Sequence, residues 1–88
     1  MTASGEIATS EPDGLALRTA KHFAHKVPVE TVDGVTRIET RFGRIELEPT
    51  SGALAVRLDG DDLEKLRDVA ASHLERFSRD ESFTIVWH

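Results

Sequence analysis

The chain has 88 residues, with 11 Lys plus Arg against 16 Asp plus Glu and a net charge of −5. That length fits one domain, residues 1–88, with a thin core, and the acidic balance argues against nonspecific nucleic-acid binding and docking on anionic membranes, which need a net basic face, unless a local basic patch overrides the average. Cysteine is absent, which excludes disulfide scaffolds, thiolate metal sites and thiol nucleophiles.

In chain order, Ser4 to Thr9 reads as a short first strand. Ser10-Glu11-Pro12-Asp13 reads as a helix start, with Ser10 as cap, Pro12 in the first turn and two acids at the positive end of the helix dipole. The first helix is expected from about Asp13 to His25. Its apolar stripe is Ala16, Ala20, Phe23, Ala24 and, at the exit, Val27. At about 100° per residue, Arg18, Lys21, His22 and His25 then fall on the opposite side, so an acidic chain carries one cationic helix face.

Two β-rich runs, Val27–Val32 and Val35–Thr40, flank Asp33-Gly34. This is a strong hairpin signal, because both positions of a tight two-residue turn need positive φ. Pro28 belongs at a strand start or a sheet edge. The chain is expected to turn again near Phe42-Gly43. Arg44–Glu48 alternates like a half-buried strand, Pro49-Thr50-Ser51-Gly52 reads as a turn, and Ala53–Leu58 as a further strand. Asp61 with Glu64 resembles a capping box at the start of the second helix, whose stripe is Leu63, Leu66, Val69, Ala70, Leu74 and Phe77. Ser82–Trp87 reads as the last strand, with Phe83, Ile85 and Trp87 facing inward. The order β-α-β-β-β-β-α-β predicts an α+β fold, with both helices on one face of a mainly antiparallel sheet.

Three features could carry chemistry. His22 and His25 are spaced i, i+3 on a helix, so two imidazoles could share a metal ion; flanking Lys21 and Lys26 oppose a cation, and a solvated or anion-binding face is the alternative. His73 sits at the centre of the second helix's stripe, as a hydrogen-bonded core histidine or one facing a pocket. Arg76, with Arg79, lies near that helix's C-terminus, where cations suit the dipole. No Gly-rich phosphate loop, nucleophile elbow or HExxH is present. The helical phases set His73 toward the core and His25 away from it, so the three histidines are not expected to converge.

The blocks Lys21-His22-Phe23-Ala24-His25-Lys26-Val27-Pro28-Val29, Phe42-Gly43, His73-Leu74-Glu75-Arg76-Phe77 and Trp87 resemble the bacterial domain of unknown function 2218 family, from about Ser4 to Trp87. Family members carry Cys before the Lys-His-Phe block, where this chain has Ala20, and Ala-Phe-Arg after the Arg-Phe pair, where it has Ser78-Arg79-Asp80. The resemblance implies a compact bacterial domain without an established activity. It also implies an accessory role beside siderophore-interacting flavin reductases.

Together these readings predict a binding or accessory module, with Arg18, Lys21, His22, His25, His73 and Arg76 as its ligand-binding residues. The expected partner is an anionic small molecule or a siderophore-interacting reductase, and no cofactor, metal, nucleic acid or membrane is expected. The alternative is a histidine-dependent metalloprotein or enzyme. The N-terminal residues lack a signal-peptide pattern and no apolar run approaches the roughly 18 residues of a membrane span, so a cytoplasmic location is expected.

Overall fold

The computed structural model describes residues 1–79 and 83–88. The elements run β1 (Thr2–Ala8), α1 (Pro12–Ala24), β2 (Val29–Val32), β3 (Val35–Thr40), β4 (Gly43–Thr50), β5 (Ala53–Asp59), α2 (Leu63–Phe77) and β6 (Ile85–Trp87). The six strands form one sheet in the order β2-β3-β4-β5-β1-β6, and every neighbouring pair is antiparallel. The α+β order expected from the sequence is the observed one.

Turn chemistry builds the meander from β2 to β5. Asp33 and Gly34 have φ of 52° and 81°, the mirror-image turn whose twist matches that of its flanking strands. Pro28 lies just before the edge strand β2, and its carbonyl accepts the N–H of Glu39 at 3.1 Å. β4 is longer than expected and takes in Pro49, so the turn that follows shrinks to Ser51-Gly52. This costs no ladder bond to β3, because the β3–β4 register ends at Thr36–Leu47 and Pro49 faces only Leu54 of β5.

The register divides the sheet cleanly. Ile7, Leu54, Val56, Leu58, Ile45, Leu47 and Ile38 share one face and are buried. Both helices cover this face, through Leu15, Ala16 and Phe23 of α1 and Leu66, Ala70 and Leu74 of α2. Phe83, Ile85 and Trp87 are half-buried against the same core. The last strand is shorter than expected, beginning at Ile85 with residues 83 and 84 outside it; the expected start at Ser82 lies outside the described residues.

The other face is open and carries a ladder of ion pairs. Glu46 binds Arg37 at 2.9 Å and Arg57 at 3.5 Å, Arg57 also reaches Glu48, and Arg44 binds Glu39 at 2.6 Å. Partial burial alone would push the Glu46 carboxyl up, but the Arg37 hydrogen bond and the fields of Arg57 and Arg37 outweigh it and hold it below its ordinary value.

The helix starts differ from expectation. α1 begins at Pro12 with Glu11 in the cap position, where no side chain caps it; Ser10 is not the cap, and the Glu11 N–H is taken by the Thr9 hydroxyl at 3.1 Å. α2 is capped by Asp62, whose carboxylate accepts the Lys65 N–H at 3.2 Å, so Asp61 and Glu64 form no capping box. The buried stripe of α1 is Leu15, Ala16, Thr19 and Phe23, while Ala24 is exposed. Thr19 can turn inward because its hydroxyl donates to the Leu15 carbonyl at 2.8 Å, which satisfies a polar group that burial would otherwise penalise.

Candidate functional site

Rotating the α1 stripe re-sorts the expected cationic face. Arg18, Lys21, His22 and His25 do not share one solvated side. Arg18 is only 23% exposed at its side chain and points to α2, where its Nε donates to the Phe77 carbonyl at 2.9 Å; its guanidinium also lies 3.7 Å from Glu11. Phe77 is the last residue of α2, so Arg18 supplies a donor to one of the carbonyls a helix end leaves without an intrahelical partner. Lys21 and His25 are exposed, and His25 is the C-cap of α1.

His22 is half-buried in the seam between the helices. Its ring centroid is 5.2 Å from that of His73, 5.2 Å from Phe77 and 6.0 Å, edge-on, from Phe23. His73 in turn lies 4.5 Å from Phe23. The two histidines therefore meet, contrary to the expectation from helical phase, while His25 stays on the surface beside them. His73 is half-buried at the seam rather than at the centre of the core. Its Nδ1 lies 2.7 Å from the Val69 carbonyl. Because a carbonyl only accepts, Nδ1 is the donor in this contact.

The seam also joins the C-terminal turns of both helices, as the contacts of Arg18 and His22 with Phe77 show. Each helix end contributes roughly half a negative elementary charge. The bases gathered there offset it, with Lys21 and His22 in the last turn of α1 and Arg76 in that of α2. Arg76 lies over the Phe77 ring at 5.6 Å. Beside it a shallow hollow of about 160 Å³ is lined by Ser72, His73 and Arg76.

Electrostatics single out His22. Burial first, and then the positive fields of His73, Arg76, Lys26 and His25, hold its pKa below the ordinary 6.5. Lys26 belongs to this cluster although spacing alone did not select it; its position directly after the His22–His25 pair was the available signal. Among the described residues, no three His, Asp or Glu side chains gather to hold a metal ion.

A larger hollow, about 410 Å³, lies on the open sheet face between Thr2, Ser4, Arg44, Arg57, Asp59 and His88. Arg44 and Arg57 there are already held by Glu39, Glu46 and Glu48, whereas among the described residues no carboxylate pairs with the bases around the smaller seam hollow.

Two helices over one face of a six-stranded antiparallel sheet, with a histidine pair at their seam, define a small α+β protein. The chain belongs to the family described as uncharacterized protein conserved in bacteria (DUF2218), whose model matches residues 4–88. Its fold is similar to the NMR structure of PA4090 from Pseudomonas aeruginosa, with a TM-score of 0.72 and 27% sequence identity, over 100% of this chain and 96% of that one. Curated proteins gave no match.

Proposed function

We propose that this protein is a binding module that receives an anionic group at the seam between α1 and α2, on His22, His25, Lys26, His73 and Arg76, with Lys21 at the rim. The observation that carries the reading is that, among the described residues, the fields acting on His22 come from bases alone: His73, Arg76, Lys26 and His25. A half-buried ring surrounded in this way gains from a negative partner. Arg18 is left out of this set, because its Nε already donates to the Phe77 carbonyl and its guanidinium lies 3.7 Å from Glu11.

The hollow beside His73 and Arg76 holds one acidic group rather than a whole large ligand. That size suits a carboxylate-bearing small molecule, such as an anionic ferric siderophore, or an acidic side chain on a partner such as a siderophore-interacting reductase. The family resemblance supports this choice of candidates by association only.

The test is a ¹H–¹⁵N titration of the labelled protein with a ferric siderophore and, separately, with a purified siderophore-interacting reductase. Binding should move the amides of residues 21–26 and 72–77, weaken with salt, and be lost in the double variant Lys26→Glu with Arg76→Glu. Shifts confined to the sheet face, or binding unchanged in that variant, would remove the seam as the site.

A further inference from the structure

His22 is a ring at the seam that touches side chains of both helices: Phe23 of its own helix, and His73 and Phe77 of α2. A proton on this ring loses hydration where the rings pack against it. It also adds a positive charge beside His73 and Arg76 of α2 and beside His25 and Lys26 after α1. Arg18, one turn back on α1, is engaged by Glu11 and the Phe77 carbonyl. An anion seated against His73 and Arg76 reverses the sign of that field. Among the described residues the seam groups around His22 are all bases, whereas on the open sheet face each of the arginines Arg37, Arg44 and Arg57 faces a carboxylate.

We propose that the seam takes up its anion together with a proton, His22 being a neutral ring in the free protein and an imidazolium in the complex. This rests on the reading of the seam as an anion site and adds its regulation. The proton comes from solvent onto the free ring nitrogen of His22, and no bond to the ligand is made or broken. By linkage, the factor by which the proton tightens anion binding equals the factor by which the anion tightens proton binding. The module therefore releases its ligand in mildly alkaline solution and holds it in mildly acidic solution.

Sulfate is the probe, because it stays a dianion across the range in which histidine titrates. The ring signals of His22 are followed by NMR from about pH 8 to about pH 5 with and without sulfate, around the histidine range, and sulfate binding is measured by calorimetry in two buffers of different ionisation enthalpy. Sulfate should move the His22 midpoint upward, and binding should take up protons from the buffer. Affinity should rise about three- to tenfold per pH unit, tenfold being the limit for one linked proton. His22→Gln should bind with nearly flat pH dependence. If sulfate perturbs the seam amides while the His22 midpoint stays put and no proton is taken up, the coupling is overturned and the anion site survives. If sulfate perturbs nothing at the seam at any pH, both are overturned.

Discussion

Replacing Arg18 by methionine keeps most of the aliphatic stem and removes the guanidinium. What is lost is the 2.9 Å hydrogen bond to the Phe77 carbonyl and the 3.7 Å contact with Glu11. A hydrogen bond from a charged donor contributes about 1.5–3 kcal/mol. The ion pair adds at most about 1 kcal/mol, and less here because Glu11 is 42% exposed. Phe77 is only half-buried, so its carbonyl recovers part of the loss from water. The net expectation is about 2 kcal/mol, which for a domain of this size lowers Tm by about 8–16 °C. Urea melts followed by circular dichroism and by Trp87 fluorescence measure it, with the slope unchanged if only stability is affected. A loss below about 0.5 kcal/mol, the usual range for a surface substitution, would refute the view of Arg18 as a clamp between the helices.

Two further outcomes follow from the packing. A Cβ at Gly5 would meet Trp87 Cε3 and the Val86 carbonyl, both at 2.8 Å, so Gly5→Ala should cost about 1–3 kcal/mol by overpacking. It should also red-shift the emission of Trp87, the sole tryptophan, before global unfolding; wild-type stability and emission would contradict this. His22 has its folded-state pKa lowered, by burial first and then by His73, Arg76, Lys26 and His25. Its contribution is therefore complete above the unfolded value near 6.5 and is lost as pH falls through the folded one. In urea melts at stepped pH, His22→Gln should lose less stability than the parent on acidification below that value, and an equal loss in both would count against it.

Local chemistry made much of the fold legible. Asp33-Gly34 could hardly be anything but a tight hairpin, and the alternation in Ala53–Leu58 and Phe83–Trp87 placed its side chains correctly. The phase of α1 was less accessible. Thr19 reads as polar, yet the hydroxyl bond to Leu15 lets it line the core, and the whole stripe turns with it. A helix packed against both a sheet and a second helix also buries two sides, and a single-stripe reading sees one. Spacing alone therefore places Arg18 and His22 in solvent, and their meeting with Phe77 and His73 depends on a contact between elements far apart in the chain, which short-range spacing cannot encode.

The place of β6 has a consequence for self-association. Strand β1 is shielded on one side by the seven-residue β5 and on the other by a strand of three residues, whose pairs are Gly5–Trp87, Glu6–Val86 and Ile7–Ile85. If those three residues peel away, β1 presents unpaired N–H and C=O groups beside the apolar side chain of Ile7, a ready template for a strand from another molecule. The strand best matched to that gap is the β6 of a second copy, so loosening Trp87 opens a route to strand exchange between molecules. The close fit of Trp87 over Gly5 thus keeps each chain paired with itself.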